Sequence, residues 1–139
     1  MDRFTRNYSL LLGAVVLALL CWVLYENPEV AALNAVLEAD PALAAYPYRF
    51  RVLALEHGVA VMGTPRSAEF PAVRALGLLF PALAPLADDD PALQQAQLEM
   101  ARLQERARAR VLETGKAGQV RWQLDSDWLS RHGIVPGSY

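Results

Sequence analysis

The sequence predicts an α+β protein: a single N-terminal transmembrane helix, then a small domain with a three-stranded sheet and about three helices on one face. Three patterns carry this prediction. An uncharged apolar run fills residues 8–25, apolar and polar residues alternate at 48–52 and 120–124, and apolar residues recur at helical spacing behind cap residues at 28–39, 67–80 and 91–114.

The first pattern, "YSLLLGAVVLALLCWVLY", would span ~27 Å as a helix, close to the ~30 Å hydrocarbon core of a bilayer. A cleaved signal wants small residues just past its apolar core, whereas Trp22, Val23, Leu24, Tyr25 and Glu26 follow here. A lipidated Cys21 would want a small residue before it, and Leu20 is not small. The segment therefore reads as an uncleaved anchor over residues 1–26, with Leu12, Val16 and Leu20 facing lipid and Tyr8, Trp22 and Tyr25 near its ends. Arg3 and Arg6 precede the run and no Lys or Arg follows until Arg49, so the amino terminus is expected in the cytoplasm. The expected location is a bacterial cytoplasmic (inner) membrane, with residues 27–132 forming a periplasmic domain and 133–139 a loose tail.

Beyond the anchor, Asn27 and Pro28 are a cap and first-turn pair, and Val30, Leu33 and Leu37 share one face of a helix over 28–39. Tyr48, Phe50 and Val52 alternate with Arg49 and Arg51, predicting a strand over 49–55. A second, more uniformly apolar strand covers 59–63, with Glu56, His57 and Gly58 as the turn between them. Ser67 is positioned to cap a helix over 67–80, in which Phe70, Val73, Leu76 or Gly77, and Phe80 line one side. "ALAPLADDD" then reads as a connector. Asp90, Pro91 and Gly115 bracket a helix over 91–114 whose stripe is Leu93, Ala96, Met100, Leu103 and Ala107. Val120, Trp122 and Leu124 make a third strand over 119–124, and "SDWLSRHG" a short capped helical turn.

Charge and composition narrow the function. Of 15 acidic and 13 basic residues, Asp2, Arg3 and Arg6 lie before the apolar run, leaving 14 and 11, a net −3, for the rest. A mildly acidic domain is a poor partner for nucleic acid. The sole cysteine lies in the apolar run, so the domain has no internal disulfide to stabilise it.

Beyond the anchor there are only two histidines, His57 and His132, and no phosphate loop, nucleophile elbow or His-Glu-x-x-His pattern. Glu56 and His57 are adjacent, and neighbours in extended chain point to opposite faces, so the pair reads as a turn. Asp125 and Asp127 flank a serine that reads as a helix cap, with Asp127 and Arg131 spaced as an i,i+4 pair. The sequence is thus expected to hold no catalytic, cofactor-binding or metal-binding residues and to take no small-molecule substrate. Arg102, Arg106 and Arg110 form an i,i+4 line of like charge, a ridge for an acidic partner or lipid headgroups if its charge is not compensated.

From about Leu33 to Leu83 the chain resembles the BON domain, a bacterial envelope module. The resemblance rests on "LNAVLEADPAL" as first helix and loop, on "YRFRVLALEHGVAVMGTP" as a hairpin with glycines at Gly58 and Gly63, and on "SAEFPAVRAL" as the next helix. It implies a helix–strand–strand–helix–strand order, a link to envelope maintenance or phospholipid binding, and no shared active site. Here a proline-rich connector and a long extra helix precede the third strand. The expected function is a non-enzymatic accessory or assembly subunit of a larger membrane complex, with other membrane subunits and the bilayer as partners. A BON-type envelope module that binds phospholipid or maintains envelope integrity is the alternative.

Overall fold

The computed structural model describes residues 2–25, 27–135 and 137–139. Glu26, at the predicted edge of the anchor, and Pro136, in the predicted tail, lie outside them. Helix α1 (Arg3–Leu24) is followed by α2 (Pro28–Glu38), the short α3 (Pro41–Ala44), strands β1 (Val52–Glu56) and β2 (Val59–Thr64), and α4 (Ala72–Leu79). A 3₁₀ turn at Pro81–Leu83, the long α5 (Pro91–Glu113), β3 (Gln119–Leu124) and α6 (Ser126–Arg131) complete the chain.

Capping chemistry sets most boundaries. The Asn27 side chain accepts from the Glu29 amide at the start of α2, and Asp90 accepts from Ala92 at the start of α5. Each is followed by proline at the first helical position, where the missing N–H costs nothing. Gly115 sits just beyond α5 at φ +75°, the left-handed conformation that lets the chain leave a helix without strain. Asp40 and Pro41 repeat the same signature and start α3, an element not predicted above.

The sheet is mixed, in the order β1-β2-β3, with β1 antiparallel and β3 parallel to β2. Glu56 pairs with Val59, so the turn is His57-Gly58 alone, and Glu56 is the last residue of β1. His57 at φ 50° and Gly58 at φ +77° both adopt positive φ, the pattern of the tight type I′ hairpin turn. On β2, Ala60 and Met62 join the core, and on the same face the Thr64 hydroxyl bonds Gln104 of α5 at 3.1 Å. Val120, Trp122 and Leu124 of β3 pack against that core, while Gln119, Arg121 and Gln123 are exposed. Helices α2 and α5 supply Leu33, Leu37, Leu93, Met100, Ala107 and Val111 to the same core.

Four predicted features are corrected. Residues 49–51 keep the predicted alternation of burial but form no ladder, apart from the Gly63 amide donating to the Arg51 carbonyl at 3.0 Å. The edge there is claimed by Asn34 of α2, whose side chain accepts from the Val52 amide at 2.7 Å and donates to the Val52 carbonyl at 3.1 Å. Gly63 does not end the hairpin; β2 runs on to Thr64, paired with Leu124.

The helix expected from Ser67 begins only at Ala72. Phe70 precedes a proline and is pushed out of helical conformation, and the Ser67 hydroxyl instead accepts from the Glu69 and Phe70 amides in a turn of its own. The tail is not loose throughout: Ile134 and Tyr139 pack on the core, with the Tyr139 ring edge-on to Phe70 at 5.6 Å. Burial of these two apolar groups holds it there.

Candidate anchor and interaction surfaces

Helix α1 has 22 residues, ~33 Å at ~1.5 Å per residue, and none of them is buried. Tyr8, Leu12, Val16, Leu20, Trp22 and Tyr25 are all exposed. The most apolar stretch has a mean hydropathy of 2.3, so this helix is long and apolar enough to cross a membrane. That description fits a membrane anchor and a signal sequence alike.

The ridge on α5 has an internal counter-charge. Asp40, only 3% exposed, receives the Arg106 Nε at 2.8 Å and the Arg110 Nε at 2.7 Å, and its Oδ1 also accepts the Ala42 and Leu43 amides. The Arg106 guanidinium, helped by Arg110 and the two amides, outweighs burial and holds the Asp40 carboxyl at about 2, below its usual 3.8. Arg102 lies outside this clamp and pairs with Glu99 at 2.7 Å on the exposed side of α5. All three ridge arginines thus already face carboxylates of the same chain. Their cationic edges are partly spent, although Arg106 and Arg110 remain roughly two-fifths exposed.

A second buried cluster joins the segment before β1 to the start of α6. The Tyr48 hydroxyl donates to Asp125 Oδ2 at 2.9 Å, and Asp125 Oδ1 accepts the Trp128 amide, so Asp125 rather than the serine after it caps α6. Burial first, and then the Asp125 charge, push the Tyr48 hydroxyl well above the usual tyrosine range, so it stays protonated and a donor. The Asp127–Arg131 pair is not among the ion pairs of the described residues. A Cβ on Gly63 would lie 3.1 Å from the Tyr48 hydroxyl, so this glycine makes room for the bond.

Tyr48→Phe is therefore expected to cost about 1–3 kcal/mol by leaving Asp125 Oδ2 without its donor. Gly63→Ala should be destabilising alone and less so in the Tyr48→Phe background. Denaturant unfolding followed by tryptophan fluorescence checks this, and strict additivity of the two changes would contradict the contact.

No family model matches the chain, and no curated protein or solved structure matches it significantly.

The residues that sequence reasoning weighed for chemistry do not converge. His57 lies in the exposed hairpin turn, whereas His132 follows α6, its Nδ1 2.8 Å from the Trp128 carbonyl and its ring over that of Trp128. Among the described residues no three His, Cys, Asp or Glu side chains are grouped to hold a metal ion. Asp40 and Tyr48 were the residues that sequence reasoning passed over. The Asp40-Pro41 cap signature was the available signal for the first. A small apolar cavity of about 290 Å³ also opens beside Tyr46, Phe80, Leu83 and Ala96. The Tyr46 hydroxyl is buried without a partner among the described residues, and burial pushes it up to about 12.

Proposed function

We propose that this chain is a single-pass membrane protein whose α1 anchors a small non-catalytic α+β domain to the bilayer, where it serves as an accessory or assembly subunit of a larger membrane complex. The supporting observation is α1: a helix of membrane-spanning length whose apolar side chains find no cover within the chain. Exposing that much apolar surface to water is strongly unfavourable, and lipid removes the cost. The connection to α2 supports the docking role. Four peptide steps from Leu24 to Pro28 reach at most ~14 Å, so the domain stays beside whatever the helix is embedded in. The amino terminus is assigned to the cytoplasm and the domain to the periplasm on the strength of Arg3 and Arg6.

A BON-like architecture belongs to the same proposal. The order α2, β1, β2, α4, β3 supports it, with α5 inserted before the last strand. That order also favours the second reading, a BON-type envelope module acting without stoichiometric subunits.

Mild-detergent purification of the tagged full chain separates the readings. The first expects fixed-ratio copurification of other membrane subunits with an intact chain that retains α1 by mass. A chain recovered alone would favour the second, and a mass lacking α1 would overturn the anchor.

A further inference from the structure

Six arginines of the domain already have a partner. Arg102, Arg106, Arg108 and Arg110 on α5 all pair with carboxylates, Arg66 donates to Gln104, and Arg74 lies over the Phe70 ring. Arg49, Arg51, Lys116, Arg121 and Arg131 are exposed and make no ion pair among the described residues. Of these, Arg49, Arg51 and Arg131 line one groove of about 420 Å³, with Tyr48 and Trp128 in its wall. Arg49 and Arg51 alternate with the buried Tyr48, Phe50 and Val52 and so share the exposed side, while Arg131 comes from α6.

Two carboxylates also line the groove. Asp125 has both oxygens engaged, by the Tyr48 hydroxyl and the Trp128 amide, but keeps its charge, so with Glu38 two carboxylates stand against three guanidiniums and the groove carries a net +1.

Position supplies the ligand. Arg51 also lines an adjoining groove together with Tyr25 and Asn27, the residues at which the chain passes from α1 to α2. The short connection keeps the start of α2 within ~14 Å of the end of α1. If α1 spans a bilayer, that end lies at the headgroup layer.

We propose that Arg49, Arg51 and Arg131 form a headgroup site that takes the phosphate of an anionic phospholipid from the membrane carrying α1, laying this side of the domain on the bilayer surface. Guanidinium forks suit phosphate oxygens, and three of them on one side would fix the domain's orientation as well as its distance. The site rests on the anchor reading given above and is independent of the subunit reading.

The test uses the full chain in nanodiscs of phosphatidylcholine with and without phosphatidylglycerol, read by amide hydrogen exchange over residues 47–52 and 126–132. Phosphatidylglycerol is expected to slow exchange in both segments, and added salt to reverse it. The triple change R49Q/R51Q/R131Q should abolish the slowing, with each arginine contributing roughly a fivefold factor. R121Q, at an exposed arginine outside the groove, should leave it intact, and an unchanged unfolding midpoint for the triple variant separates lost binding from lost fold. Incorporation with equal exchange in both lipids would overturn the headgroup site alone, as would equal protection by soluble glycerol phosphate in phosphatidylcholine discs or by an added acidic peptide. A chain that fails to enter nanodiscs would overturn the anchor and this site together.

Discussion

Asp40→Ala is expected to destabilise the α+β domain by about 2–4 kcal/mol, the largest effect of any single polar substitution. Its carboxylate does two jobs at once: it caps α3 through the Ala42 and Leu43 amides, and it ties the α2–α3 corner to α5 through Arg106 and Arg110. The cap alone accounts for about 1 kcal/mol. The charge-assisted bonds supply the rest at the low end of their range, because both guanidiniums are roughly two-fifths exposed and regain water when released. Asp40→Asn keeps an acceptor for the amides and is expected to cost less than Asp40→Ala. Denaturant titration followed by tryptophan fluorescence measures both, and a loss under about 0.5 kcal/mol for the alanine variant would show that the clamp carries no load.

The same carboxylate makes stability depend on acid. Its folded-state value of about 2 lies below the 3.8 of the free side chain, so the unfolded chain binds the proton more tightly. The clamp's contribution is complete above about pH 4 and drains away as pH falls from 3.8 through about 2. The difference corresponds to about 2 kcal/mol by linkage. Asp40→Asn removes the titrating group, so its stability should fall less steeply than that of the parent across this window.

Local chemistry was legible in the sequence and partner choice was not. Asn27-Pro28, Asp90-Pro91 and Gly115 are instructions carried by neighbouring residues, and the α2 and α5 boundaries came out within a residue of their predicted positions. The buried faces followed for the same reason, since Val30, Leu33 and Leu37, or Leu93, Met100 and Leu103, meet by helical period alone.

The Arg102, Arg106 and Arg110 line was visible as a pattern, but its meaning depended on Asp40, 66 residues before Arg106 and 70 before Arg110. Asp125 finds Tyr48 across 77 residues. Such pairings exist only once the sheet and α5 are assembled. The unpaired arginines were equally hidden, because Arg49 and Arg51 read as the polar side of a strand until the other arginines had found their partners.

Changing Leu12 and Val16 together to aspartate is expected to move the protein out of the membrane fraction. The two positions lie four residues apart on one side of α1, near the middle of the apolar run, where burying an aspartate costs ~2.5–3.5 kcal/mol on insertion scales. Neither charge can snorkel to an interface from that depth with so short a side chain. The pair therefore costs ~5–7 kcal/mol against insertion, and also forfeits what the leucine and valine contributed. Carbonate extraction of membranes reads the outcome: the parent stays in the pellet and the double variant is released. Leu98→Asp supplies the control, because Leu98 is 67% exposed on α5 yet belongs to the domain, and its change should leave the distribution untouched. If the double variant resisted extraction as the parent does, lipid would not be what covers α1, and a protein partner's helix would have to take its place. Release of the double variant with an intact mass would instead tie retention to the apolarity of α1, because none of its residues is buried against the domain.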